Sequence, residues 1–297
     1  MSKDKLLEII AARTERDGLT ETGIAGVRLF RATQPVPCVP AVYEPSVVAI
    51  LSGEKEAHLD GQRFVYDSSR YLCCPMAMPV QAGTPAASPE APLYGVLISL
   101  GLRIMTELGF EMDQSTGVPP SAKAGAPVPG IKLAAWDAEF TEALFRLLSL
   151  GTSPTDLAVL GQSRLRELYY AILKGEAGGF ARQAFRTGNV IARSIAHVSA
   201  HLEVPISIDD MAARAGMSRA AFHRKFKQVT TMAPIQFVKS MRLNTAAIKI
   251  AGGMAVNEAA LEVGYASPSQ FSREFKRMYG RSPRQWGEAH QAAMEIA

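Results

Sequence analysis

Between residues 23 and 100 the apolar positions fall in short runs separated by turn residues. The runs are GVRLFRAT at 26–33, SVVAILSG at 46–53, AHLDGQRFVYD at 57–67, SRYLCCP at 69–75 and PLYGVLISL at 92–100. β-Branched and aromatic residues dominate them, so each predicts a strand. Asp60-Gly61 predicts a two-residue hairpin, whose central residues need positive φ. Several short strands at this spacing predict a small β-sandwich or barrel. Residues 5–16 predict an amphipathic helix before it and 101–110 a helix after it. The Pro- and Gly-rich stretch GVPPSAKAGAPVPG (117–130) predicts a surface loop.

From Lys132 the period becomes helical. Segments 135–149, 153–160 and 162–174 place Leu144, Leu147 and Leu148, then Leu165, Leu168, Tyr169 and Ile172, at i, i+3, i+4 spacing. This helical segment, 132–175, is either a packed layer or a dimer face. GEAGG (175–179) predicts a linker, and the pattern after it is helical to the end. The expected organisation is α+β in two domains, 1–178 and 179–297.

The C-terminal part repeats itself. Ala212, Ala215 and Gly216 return as Ala260, Val263 and Gly264 at an offset of 48, and Phe222, Phe226, Lys227, Pro234 and Phe237 return as Phe271, Phe275, Lys276, Pro283 and Trp286 at 49. Each copy predicts a short helix, a glycine in a left-handed turn, a capping serine (Ser218, Ser267) and a second helix. That second helix buries a phenylalanine pair at i, i+4 and turns a polar, cationic face outward. This is the helix-turn-helix arrangement, at 208–229 and again at 256–279, and its second helix fits a major groove. The intervening helix, 234–251, would span roughly 25 Å, a sensible strut between successive groove faces about 34 Å apart.

Charge strengthens this reading. Residues 1–181 carry a net −4 and residues 182–297 a net +8, which points to a polyanion partner for the C-terminal part alone. No apolar run is long enough to span a membrane, and the N-terminus has no signal-peptide pattern, so a cytoplasmic chain is expected. Cys38, Cys73 and Cys74 make neither a disulfide framework nor a zinc pattern. His58 is the only histidine before residue 197, so no metal site, no cofactor and no enzyme activity are expected. An enzyme carrying an accessory DNA-binding tail is disfavoured for the same reason. Adjacent strand residues face opposite ways, so one of Cys73 and Cys74 is expected in the core and the other towards a pocket or solvent. The three cysteines are either inert thiols or sensors of electrophiles or oxidants. Tyr43, Tyr71, Met76, Met78 and Tyr94 are core residues or liners of an effector pocket.

MAARAGMSRAAFHRKFK in the first unit and AALEVGYASPSQFSREFKRMYGRSP in the second resemble the AraC/XylS family of transcription regulators. Residues 41–82 and 91–100 are similar to the cupin-like N-terminal domain of some of its members. The resemblance implies a sequence-specific DNA-binding regulator, commonly an activator that contacts RNA polymerase, and a regulatory N-terminal domain responding to a small molecule. It implies base contacts from Ala220, His223 and Arg224 and from Ser269, Gln270 and Arg273. It implies phosphate contacts from Ser218, Lys227, Ser267, Lys276, Arg277 and Arg281. Each unit pair reads one asymmetric half-site, so a homodimer through the 132–175 helices is an expected assembly. The alternative is a ligand-independent regulator with a purely structural N-terminal domain.

Overall fold

The computed structural model describes residues 3–115, 130–186 and 189–295. All of the expected 117–130 loop except Gly130 lies outside them. The chain opens with α1 (Lys3–Arg13), followed by nine strands: β1 (Gly18–Glu21), β2 (Val27–Ala32), β3 (Val36–Tyr43), β4 (Ser46–Ser52), β5 (Lys55–Leu59), β6 (Gln62–Tyr66), β7 (Arg70–Cys74), β8 (Met78–Thr84) and β9 (Leu93–Ser99). Then come α2 (Leu102–Ser115), β10 (Lys132–Ala135), α3 (Ala138–Leu148), α4 (Pro154–Lys174) and α5 (Gly178–Phe185).

The strands form two antiparallel sheets, one of six in the order β1-β2-β9-β4-β7-β10 and one of four in the order β3-β8-β5-β6. The six-stranded sheet is covered on both faces. Val47, Ala49, Val96 and Ile98 pack with α1 and α3–α5, while Val48, Ile50 and Leu72 face the four-stranded sheet. Two-sided burial explains why β4 is a continuous apolar run rather than an alternating one. Asp60 (φ 49°) and Gly61 (φ 78°) make the expected hairpin between β5 and β6.

Some elements differ from expectation. Prolines disguised β3 and β8. Pro37 and Pro40 are tolerated because β3 is an edge strand, and Pro79 lies where β8 has run past the end of β5. Residues 132–135 are an edge strand on β7 rather than the start of a helix. The 153–160 and 162–174 segments are one helix, α4, with Gly161 facing Ile24. GEAGG is not an exposed linker. It forms a tight corner between α4 and α5, where a side chain on Gly178 would strike the Leu173 carbonyl, and Phe180, Ala181 and Phe185 join the N-terminal core.

The remaining helices are α6 (Val190–Ala200), α7 (Ile208–Arg214), α8 (Arg219–Thr230), α9 (Pro234–Ala251), α10 (Val256–Glu262), α11 (Pro268–Tyr279) and α12 (Pro283–Glu295). The spine is α9. Its first half (Phe237, Val238, Met241) packs with the α6–α8 core, and its second half (Leu243, Ala246, Ala247, Ile250) packs with α10–α12. It also lies against β3 and β8. The buried Asn244 amide donates to the carbonyls of Ala41 and Val80, both at 2.9 Å, and accepts from the Tyr279 hydroxyl at 2.7 Å.

The two turn glycines differ in what they tolerate. Gly216 (φ 63°) stands in open space, whereas a Cβ on Gly264 (φ 83°) would run into the Leu202 carbonyl and the Arg242 guanidinium. Gly216→Ala is therefore expected to cost roughly 1–2 kcal/mol of backbone strain and Gly264→Ala more than about 3 kcal/mol. Urea unfolding of the two variants measures the difference, and equal losses would contradict it.

Candidate nucleic-acid interface

The two units are built alike. In the first, the Ser207 hydroxyl caps α7, accepting from Asp210 N at 3.4 Å, and Ser218 caps α8, accepting from Ala221 N at 3.3 Å. Phe222 and Phe226 are fully buried, with ring centroids 5.5 Å apart, and Phe226 meets Phe237 of α9 edge-on at 5.3 Å. That pair fixes the rotation of α8. Ala220, His223, Arg224 and Lys227 are consequently exposed together.

In the second unit Ser267 caps α11, accepting from Gln270 N at 3.3 Å, and Pro268 occupies its first turn. Phe271 and Phe275 are buried, Phe275 against Tyr279 and Trp286, and the Trp286 indole donates to the Ala247 carbonyl at 3.1 Å. Ser269, Gln270, Arg273, Lys276, Arg277 and Arg281 are all exposed. α11 ends on Gly280 (φ 73°), whose N–H returns to the Lys276 carbonyl at 2.8 Å. In both units the serine uses its lone pair for capping, which leaves its O–H free to donate to a phosphate at a helix N-terminus.

Arg224 and Arg273 are both exposed, and among the described residues neither has an ion-pair partner. Arg219, by contrast, is engaged with Asp209 at 3.2 Å. Sequence reasoning missed Glu274, on the inner flank of α11. It accepts from Lys239 of α9 at 3.2 Å, from the Tyr265 hydroxyl at 2.8 Å and from the Gln270 side-chain amide at 3.2 Å. Glu274 thus ties α11 to the spine and orients Gln270, one of the side chains expected to read bases. Burial opposes its charge, but the hydrogen bonds from Gln270, Tyr265 and Lys239 outweigh that and hold the carboxyl below its ordinary value. Burial and this carboxylate push the Tyr265 hydroxyl up. The i, i+4 spacing of Gln270 and Glu274 was the one available signal.

The cysteines sit apart from these helices. Cys73 and Cys74 are both fully buried, which departs from the expectation that one would face a pocket or solvent. The reason is the two-sided cover of β7: Cys73 joins the helix-facing core and Cys74 the sheet-facing core. Burial pushes the Cys73 thiol up to about 12 and Cys74 higher. Cys38, in the other sheet, is half-buried, and burial together with its bond to Glu56 raises it to about 11. None of the three is a ready thiolate.

A cavity of about 470 Å³ lies where α2, α5 and α6 meet the starts of β4 and β8. Met76, Leu100, Phe185 and Ala196 line it, with Glu44 and Arg193 as polar groups. Burial raises the Glu44 carboxyl above its ordinary value, while a hydrogen bond from Ser199 opposes the rise. Of the five expected liners only Met76 reaches this cavity. Tyr71 instead stacks on Phe140 at 4.5 Å, and Tyr43 bonds the Tyr66 hydroxyl at 3.0 Å.

Two glycine-turned helix pairs, each offering a capped, cation-bearing second helix, define a DNA-binding protein with tandem helix-turn-helix units. The profile of the AraC-type transcriptional regulator N-terminus matches residues 23–180, and that of a helix-turn-helix domain matches residues 211–289. The chain belongs to the AraC-type family of DNA-binding transcription regulators. It is 30% identical over 95 residues to the regulatory protein SoxS of Escherichia coli, covering 32% of this chain and 89% of SoxS. It is 41% identical over 81 residues to the transcriptional regulator MtrA of Neisseria gonorrhoeae, 27% of either chain. The whole fold is similar to that of ToxT from Vibrio cholerae, with a TM-score of 0.60 at 10% identity over 88% of this chain and 97% of ToxT. Among the described residues no helix is long and apolar enough to cross a membrane.

The lowered Glu274 carboxyl stabilises the fold above the unfolded glutamate value of about 4.3, and that contribution disappears as pH falls through the lower folded value. Glu274→Gln is therefore expected to be less stable than the parent at pH 7, with the gap closing below about pH 4. Thermal melts from pH 7 to 3 check this; a gap independent of pH would assign Glu274 a packing role only.

Proposed function

We propose that this regulator activates transcription when a small molecule occupies its N-terminal part, and that α9 carries the signal to the DNA-binding helices. The observation that carries the reading is Asn244: one buried amide joins the spine of both units to two adjacent strands, β3 and β8, of the four-stranded sheet. Any shift of those strands changes the setting of α9. The cavity beside Ala196 supports a ligand of small, mostly apolar character, because its lining is apolar with a few polar groups. We place the boundary between the two parts after α5, because Phe180, Ala181 and Phe185 of that helix pack into the N-terminal core. Activation through RNA polymerase follows the family resemblance. A homodimer through α3 and α4 is supported by Val159, Leu160 and Tyr170, apolar side chains that α4 leaves exposed.

Base reading is assigned to Ala220, His223 and Arg224 and to Ser269, Gln270 and Arg273. Arg224 and Arg273 suit bidentate bonding to guanine, and Ala220 suits a thymine methyl. Ser218, Lys227, Ser267, Lys276, Arg277 and Arg281 are assigned to phosphates. A duplex selected from genomic fragments by the full-length chain tests the assignment. Arg273→Ala is expected to lose roughly 1–3 kcal/mol and to relax preference at one base pair. Lys276→Ala should weaken all sequences alike and lower the salt slope by about one. Identical, sequence-independent losses in both would end this division of labour.

The ligand reading has its own test. In a reporter driven by the selected duplex, Ala196→Phe fills the cavity and is expected to lower induced output at least about fivefold, with the affinity of the purified protein for the duplex kept. Unchanged output would favour the ligand-independent alternative.

A further inference from the structure

We infer that Cys38, Glu56 and His58 form a binding site for one borderline-soft divalent cation of the zinc class, separate from the DNA-binding helices and from the apolar cavity. Their ligand atoms lie within 4.8 Å of one another. The Cys38 thiol donates to Glu56 Oε1 at 3.2 Å, and His58 Nε2 stands 3.6 Å from the same oxygen. Thiol, carboxylate and imidazole therefore converge on a single point.

The sheet builds this convergence. Glu56 and His58 are two residues apart on β5, so they share one face, opposite Ala57 and Leu59 of the core. Cys38 belongs to β3, and β8 runs between the two strands. The residue of β8 paired with Glu56 is Gly83. A Cβ there would come 2.7 Å from Cys38 N and from the Val36 carbonyl oxygen. With no side chain at 83, the irregular stretch of β3 between Val36 and Val39 folds over β8 and brings the thiol across to the β5 carboxylate. The second oxygen of that carboxylate is held by Arg63 Nε at 2.5 Å, which leaves Oε1 for the cation. Fixing a ligating carboxylate through its other oxygen is how outer partners orient a metal ligand.

The donor set selects the ion. A thiolate and an imidazole favour zinc over magnesium or calcium, which take oxygen ligands. Zinc bonds of about 2.0–2.3 Å place tetrahedral ligands roughly 3.3–3.8 Å apart, so closing the site needs side-chain shifts of about 1 Å. On binding, the Cys38 S–H bond breaks, the sulfur lone pair forms the metal bond and the proton passes to solvent. Neutral His58 and anionic Glu56 complete three protein ligands, with water as the fourth. Two anionic ligands then balance the charge of the ion. The bound ion would pin β3 to β5 across β8 and so stiffen the strand whose Val39 packs against the second unit and whose Ala41 carbonyl holds Asn244.

The test uses the reduced, tag-free full-length chain and cobalt(II) or zinc(II) alone. One equivalent of cobalt is expected to bind with a thiolate-to-cobalt charge-transfer absorption, which zinc abolishes by displacement and excess magnesium does not. Cys38→Ser should eliminate the absorption. His58→Gln should weaken cobalt binding at least about tenfold. Zinc should raise the melting temperature of the parent and leave that of Cys38→Ser unchanged. An absent charge-transfer band at several equivalents of cobalt, or a band that survives Cys38→Ser, would overturn the site.

Discussion

A buried amide with all its hydrogen bonds made is the joint on which the arrangement of this molecule turns. Asn244 is 2% exposed, spends both N–H groups on carbonyls of the two neighbouring strands and takes the Tyr279 hydroxyl on its oxygen. Such a group has one comfortable geometry, because any displacement leaves three polar partners without water or replacement. Apolar packing along α9 would tolerate sliding. The amide sets the register of the helix on β3 and β8, and Tyr279 links that register to the end of α11.

The same economy governs the cationic faces of α8 and α11. Nothing in the fold has to hold the basic side chains outward. The phenylalanines at i, i+4 must be buried, and burying each pair rotates its helix until the cations face solvent. Serine caps and left-handed glycines then set where each helix starts and how sharply it leaves its predecessor. Glu274 adds what packing cannot. It converts Gln270 from a freely rotating amide into one directed by a fixed acceptor, and it does so from the inner flank, so the outer face remains cationic.

Features that arise within one element, or that recur at a fixed offset, were legible in the sequence. The tandem units, their caps, their turn glycines, the exposed cationic faces and the Asp60-Gly61 hairpin all depend on local chemistry. Features created by contact between distant segments were not. β3 and β8 pair across some forty residues, and their prolines contradict strand propensity until their places in the sheet are known. GEAGG has linker composition because a tight helix corner needs the same residues. The burial of both Cys73 and Cys74 follows from β7 being covered on two sides, which periodicity over five residues cannot distinguish. A lone histidine argues against a metal site only while its cross-strand neighbours are unknown; Cys38 lies twenty residues away in sequence and over the adjoining strand in space.

The energetics of the α9 joint bear on the kind of regulation this architecture supports. Losing a satisfied buried hydrogen-bond partner costs about 1–3 kcal/mol. Inverting a two-state equilibrium from 1:99 to 99:1 takes about 5.5 kcal/mol of differential binding. Single Asn244 contacts fall short of that, so losing one of the three does not by itself invert such an equilibrium. They are strong enough to shift the occupancy of a DNA site several-fold. Under the regulatory reading, a ligand in the cavity beside α6 therefore acts by grading the setting of α9. It has no need to release the DNA-binding helices from the sheet.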